Sequence, residues 1–197
     1  IDTNARFAVV EPGVVNWSLQ KELEKVGYFY APDPASFKVS TIGGNIAENA
    51  GGPRCLKYGT TTNHVLAIEA IMPDGSLQKF DLDKHGPELA SLLVGAEGTL
   101  GVIIKAWVKI LPLPANIRTL LAGFTSIDAA IECVSAIVAT GVLPRVLEAM
   151  DKTTVESVEA YAHAGYPRSE AVLLIELDGD PREVESDAMT VGRLCQE

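Results

Sequence analysis

The stretch Ser40-Thr41-Ile42-Gly43-Gly44-Asn45-Ile46-Ala47-Glu48-Asn49-Ala50-Gly51-Gly52 decides how this chain is read. Two Gly-Gly pairs bracket a segment with room for one helical turn. Glycine permits close backbone approach and positive φ. The N–H groups that open a helical turn attract anions, and Ser40, Thr41, Asn45 and Asn49 add neutral donors. No Lys or Arg lies between Val39 and Pro53. A pyrophosphate held here would therefore be held by dipoles rather than by side-chain charge. The same residues also suit a purely structural glycine corner.

Around this stretch, residues 31–63 look like one long loop rich in Gly, Pro, Asn, Ser and Thr. Loops of that length are functional or disordered, and this one is too apolar and too weakly charged for plain disorder. Upstream, residues 6–10 read as a strand and Glu11-Pro12-Gly13 as a turn. Asn16 predicts a helix N-cap and Gly27 a stop, with Leu19, Leu23 and Val26 turned inward. Downstream, residues 65–72 and 76–80 predict a hairpin across Pro73-Asp74-Gly75. A short helix is expected over residues 87–94. Gly95-Ala96-Glu97-Gly98-Thr99-Leu100-Gly101 forms a second glycine loop, and it too could be only a turn. Residues 102–110 alternate with a period of two, which predicts a strand burying Val102, Ile104, Ala106, Val108 and Ile110.

Leu111-Pro112-Leu113-Pro114 marks the best boundary, because proline removes N–H donors and ends a strand. Beyond it the pattern becomes a βα alternation. Strands are expected over 118–124, 146–150 and 171–177. Helices are expected over 127–139, over 152–163, and from Pro181 onward without a stop signal. The fold class is thus α+β, with domains at 1–113 and 114–197.

Composition narrows the function. The chain has 197 residues, 47% hydrophobic and 21% charged, with 26 acidic and 16 basic side chains for a formal charge of -10. So acidic a surface disfavours nucleic acid and anionic membranes. No stretch approaches the roughly 18 apolar residues of a membrane span. The opening residues lack a signal-type core, and a start on Ile1 hints at a processed chain or a fragment. Cys55, Cys133 and Cys195 are odd in number and widely spaced, which argues against a disulfide framework and suits a reducing cytoplasm. Cys55 lies beside Arg54 and Lys57, whose charges could make its thiol reactive, but a small packing residue is the favoured reading. His64, His85 and His163 sit near no ligand cluster, so no metal site is expected. The second glycine loop is not G-x-G-x-x-G and no βαβ unit follows it, so a Rossmann site is unsupported. No G-K-[ST] or G-x-S-x-G occurs. Trp17 and Trp107 read as core or interface residues, and Asp81, Asp83 and Lys84 as a solvated loop. Tyr58 could stack on a ligand or simply be buried.

Taken together, the run Pro32-Asp33-Pro34-Ala35-Ser36, residues 41–52 of the first glycine stretch, and Leu56-Lys57-Tyr58-Gly59 resemble the FAD-linked oxidases of the vanillyl-alcohol oxidase type. The nearest branch is that of the D subunit of glycolate oxidase and of D-lactate dehydrogenase. Pro73-Asp74-Gly75 and Glu97-Gly98-Thr99-Leu100-Gly101-Val102-Ile103 follow in the family's order. The likeness implies the larger lobe of a PCMH-type FAD-binding domain over 1–113. It implies the start of a ferredoxin-like α+β substrate-binding domain over 114–197. It also implies FAD as cofactor, non-covalently held, and a small 2-hydroxy acid such as glycolate or D-lactate as substrate. Electrons would pass to an iron–sulfur or cytochrome partner, or to a quinone pool. By this resemblance Pro34 to Ser40 line the flavin and ribityl region. Thr41, Gly43, Gly44 and Asn45 present donors to the pyrophosphate and isoalloxazine. Ala47 and Asn49 share that wall, and Gly51, Gly52 and Tyr58 complete it. Glu97, Gly98, Gly101, Val102 and Ile103 hold the adenosine end.

Neither the family's first, smaller lobe nor its late histidine-rich motif has a counterpart here. The chain is expected to match the middle of a family member, with the catalytic base outside it. Arg54 and His64 are not assigned that role. An apolar half-crevice would favour self-association, and any membrane association is expected through a partner subunit. Other readings are a related FAD enzyme, resembling D-2-hydroxyglutarate dehydrogenase or alkyl-glycerone-phosphate synthase, and a flavin-free structural module.

Overall fold

A computed structural model describes residues 1–81 and 88–196. The chain divides into two compact units, Ile1–Leu113 and Pro114–Glu197.

The first unit contains β1 (Phe7–Val10), α1 (Asn16–Glu24), β2 (Tyr28–Phe29), α2 (Ile42–Ala47), α3 (Cys55–Tyr58) and a 3₁₀ turn (Thr61–His64). It continues with β3 (Val65–Ile71), β4 (Leu77–Asp81), α4 (Ala90–Leu93), β5 (Val102–Lys109) and β6 (Leu111–Pro112). An antiparallel sheet runs in the order β1-β5-β3-β4, and β2 pairs with β6. Leu19, Leu23, Tyr30, Ile42, Ile46, Ile68, Val108 and Ile110 form its core. Burying each such side chain contributes about 1.5–3 kcal/mol.

Several expectations change here. Asn16 is not the cap: it is the first helical residue, wholly buried, and its amide donates to the Pro32 carbonyl (3.1 Å). Val26 is exposed rather than inward. The long loop is not featureless, since it holds α2, α3 and the 3₁₀ turn. Strand β5 keeps a period of two only in part. Its register against β3 shifts between Glu69↔Lys105 and Ala70↔Ile103, so Ile104 is an extra residue. A bulge exchanges the faces of the strand beyond it. Ala106, Val108 and Ile110 are buried as expected, but Ile103 packs on the core and Val102 is 63% exposed. Asp83, Lys84, His85 and Pro87 lie outside the described residues.

The second unit contains β7 (Asn116–Phe124), α5 (Ile127–Ala139), β8 (Val146–Asp151), α6 (Lys152–Ala162), β9 (Ala171–Gly179) and α7 (Pro181–Leu194). Its antiparallel sheet runs β7-β9-β8. Ala171, Leu173, Ile175 and Leu177 of β9 cluster with Ala130, Cys133 and Ile137 of α5 and Val184 and Val191 of α7. Each helix carries its own cap. Ser126 accepts from the Ala129 N–H (3.1 Å), Asp151 from Thr154 (2.8 Å) and Asp180 from Arg182 (2.9 Å). The last helix does stop, with Cys195 as its C-cap. Arg145 is buried against Asp178 (3.4 Å) and Glu176 (3.6 Å), so its charge is neutralised inside the unit. Both units are α+β, the class read from the sequence.

Candidate cofactor-binding site

Residues 36–43 are stitched to the start of α1 by backbone hydrogen bonds. The Asn16 N–H donates to Ser40 O (2.9 Å), Trp17 to Phe37 O (3.0 Å), Ile42 to Val14 O (2.8 Å) and Gly43 to Pro12 O (2.9 Å). A β-bridge joins Val15 to Thr41. The Thr41 hydroxyl caps α2 by accepting from the Gly44 N–H (3.2 Å). The N–H groups of Gly43 and Gly44, which the family resemblance made donors to the pyrophosphate and isoalloxazine, are therefore already engaged within the protein, as is that of Ile42.

The second glycine loop closes the other end of α2. The Gly95 N–H donates to Ile46 O (2.8 Å) and Glu97 to Ala47 O (3.1 Å). Reaching those carbonyls turns Gly95 and Glu97 left-handed, at φ 80° and 49°. For a non-glycine residue that region is sparsely populated, so the loop is held there by its partners. Asn49, also left-handed at φ 49°, accepts from the Thr62 N–H (2.9 Å). The two loops found separately in the sequence thus meet. Gly43, Ala47, Gly98, Gly101, Val102 and Ile103 line one pocket of about 210 Å³. Pro12 completes it; the sequence marked Pro12 only as a turn residue.

The glycines divide by physical role. A Cβ on Gly43 would lie 2.5 Å from Pro12 Cβ, and one on Gly52 2.3 Å from Asp33 O. Those positions are glycine because the protein packs on them. Gly44 differs: it is exposed, has no positive φ, and its Cβ would meet only Thr41 Oγ1, at 3.4 Å. The fold itself makes no demand for glycine there.

The remaining candidates are not among the residues that line this pocket. Pro34 is buried, and Gly51 packs beside Cys55, whose sulfur accepts from the Gly52 N–H (3.0 Å). Asp33 and Arg54 join as an ion pair (3.0 Å) that ties the 31–40 segment to the turn after Gly52. Sequence reading did not single out that tie; its one signal was a carboxylate set between Pro32 and Pro34. The Tyr58 ring packs edge-on against Phe29, centroids 5.6 Å apart. Its carbonyl meets His64 Nε2 (2.8 Å). His64 is buried, which holds its imidazole below the usual histidine pKa, with the Tyr58 carbonyl opposing and Lys109 adding to the shift. Two buried polar atoms at the first loop, Ser40 Oγ and Asn45 Nδ2, have no hydrogen-bond partner among the described residues. Such atoms are costly unless something hydrogen-bonds them.

Chemically, the pocket offers a lining of glycine, alanine, proline and branched aliphatic residues, and the first loop nearby in sequence holds the unpartnered Asn45 amide and Ser40 hydroxyl. Residues 1–81 match the family described as FAD binding domain, and residues 113–197 match the C-terminal domain of FAD linked oxidases. The chain belongs to the FAD-linked oxidases. FAD is accordingly the cofactor for which the first unit is built. Glycolate oxidase subunit GlcD of Bacillus subtilis is 44% identical over the whole chain, which spans 43% of that protein. D-lactate dehydrogenase of Anaerostipes hadrus is 33% identical over 90% of the chain and 40% of the relative. The chain thus spans less than half the length of these relatives. Among solved structures, an alkyldihydroxyacetonephosphate synthase superposes with a TM-score of 0.85 at 23% identity, covering 100% of this chain and 41% of that one. That likeness concerns the fold.

The residues present fit the ring systems of FAD. A flat heteroaromatic ring suits the apolar slot, and the orphaned Asn45 Nδ2 and Ser40 Oγ are donors of the kind a flavin's polar atoms would satisfy. The start of α2 does not fit the diphosphate, because its first N–H groups already have acceptors.

Proposed function

We propose that this chain is part of an FAD-dependent enzyme that oxidises a small 2-hydroxy acid, glycolate or D-lactate being the leading substrates. The observation that carries the reading is the apolar pocket built jointly by the two glycine loops. The bound flavin supplies a two-electron acceptor for hydride from the substrate carbon. Residues 1–113 act as the larger lobe of the FAD-binding domain, and 114–197 as the first part of the substrate-binding domain. Within the first, Gly43, Ala47, Gly98 and Gly101 line the slot with little or no side chain, and Val102 and Ile103 give it apolar walls. Ser40 and Asn45 supply hydrogen bonds that the fold leaves open. Gly44 keeps the exposed face of α2 bare for close approach. Arg54 and Asp33 hold the wall in place.

Electrons leave through an iron–sulfur or cytochrome partner, a reading supported by the name of the Bacillus relative, which makes it one subunit of an oxidase. The three free thiols suit a reducing cytoplasm. No helix among the described residues is long and apolar enough to cross a membrane.

The test is a visible absorption spectrum of the purified protein with and without added FAD. Flavin bands that co-elute with the protein are expected. Bleaching on anaerobic addition of D-lactate or glycolate, with the rest of the enzyme supplied, would identify the substrate class. Absence of bound flavin at millimolar FAD would remove the cofactor-holding role from this chain.

A further inference from the structure

The three cysteines look unrelated in sequence, yet the fold brings two of them together. Cys133 lies on α5 and is buried; Cys195 caps the C-terminal end of α7 and is half-buried. Their sulfurs are 3.7 Å apart across a separation of 62 residues. We propose that Cys133 and Cys195 form a reversible disulfide that staples α5 to the end of α7 when the protein meets peroxide.

A disulfide needs the sulfurs at about 2.05 Å, so they must close by roughly 1.7 Å, within the reach of side-chain rotation. Oxidant can reach them. Both cysteines line a pocket of about 420 Å³, together with Phe124, Ala129 and Leu194, many times the roughly 30 Å³ that one water occupies. In the first step a thiolate sulfur attacks one peroxide oxygen. The O–O bond breaks, giving a sulfenic acid and a hydroxide, which takes up the proton that the thiol released and becomes water. The second thiol then displaces the sulfenic oxygen as water and forms the S–S bond. In sum the two thiols lose two electrons and two protons, and hydrogen peroxide becomes two waters. Burial, and then the neighbouring Cys133, push the Cys195 thiol up to about 12. Thiolate is therefore scarce at neutral pH, and oxidation is slow there and accelerates as pH rises. In a reducing compartment the pair stays as dithiol.

The test treats the purified protein with excess hydrogen peroxide at pH 8, then alkylates it under denaturing conditions and maps peptides by mass spectrometry. A peptide linking Cys133 to Cys195 is expected, with Cys55 alkylated and the link lost on dithiothreitol. The oxidised protein should show a rise in the melting of the second unit on the order of 10 °C. Cys55→Ala should keep both signals. Cys195→Ala should abolish both, and it carries the test if the more buried Cys133→Ala fails to fold. Three alkylatable thiols after treatment would overturn the proposal. So would a link through Cys55, a link between molecules, or over-oxidation of Cys195 without any link.

Discussion

The two units reach stability by different routes. In the second, β7 and β9 pair from Asn116↔Gly179 to Phe124↔Ala171 without interruption, and α5, α6 and α7 each have a side-chain cap. In the first, the β3–β5 register shifts twice, and α1, α3 and α4 lack side-chain caps. Residues 31–64 there are held by single long-range contacts such as Asp33–Arg54 and Asn16–Pro32. A repeating ladder spreads stability over many equivalent bonds. A stitched loop concentrates it in a few, and leaves polar atoms such as Ser40 Oγ and Asn45 Nδ2 without a partner among the described residues.

That contrast can be tested at its glycines. The largest effect is expected from Gly52→Ala, whose Cβ has backbone 2.3 Å away. Overpacking of this kind costs about 3 kcal/mol. Both tryptophans, Trp17 and Trp107, lie in the first unit, so their fluorescence should report the lowered urea midpoint. An unchanged midpoint would show that the 51–54 turn gives way freely. Gly44→Val comes next and separates packing from ligand binding. With only Thr41 Oγ1 near its Cβ, it should change stability by less than about 1 kcal/mol while FAD no longer co-elutes. Unfolding instead would make Gly44 a structural glycine like its neighbour.

In the second unit, Gly192 lies in α7 with open space around it. Gly192→Ala should stabilise by about 0.5–1 kcal/mol. That gain should appear in far-ultraviolet dichroism and not in tryptophan fluorescence. The smallest effect is a pH dependence in the first unit. Burial lowers the folded pKa of His64 below 6.5, so on acidification the unfolded chain takes up the proton first. The stability that His64 contributes is complete above about pH 6.5 and is lost as pH falls through the folded value. His64→Gln should flatten the urea midpoint across that range; an unchanged slope would assign it to other groups.

Regular elements were legible wherever a period repeated. Helix α5 and strand β9 were placed within a residue or two because their apolar faces recur along the chain. The bulge at Ile104 was not, because a single extra residue leaves the alternation of Val102–Lys109 intact in sequence and reverses its faces only when paired with β3. The glycine loops were legible as glycine loops. Which glycines serve packing and which leave room for a ligand was hidden, since that depends on Pro12 beside Gly43 and Asp33 beside Gly52. The engaged N–H groups at the start of α2 were equally hidden. Their acceptors, Val14 and Pro12, lie 28 and 31 residues upstream of Ile42 and Gly43.

The sequence by itself determined the class of the protein. Its motifs carry the family, its composition disfavours nucleic acid, and its periodicities place most strands and helices, because these are properties of neighbours along the chain. Tertiary structure decided the rest: that two distant loops share one slot, that Ser40 Oγ and Asn45 Nδ2 find no partner among the described residues, and that Cys133 meets Cys195. Those facts arise when the chain closes on itself, and no local pattern records which distant atom will fill the space beside a given residue.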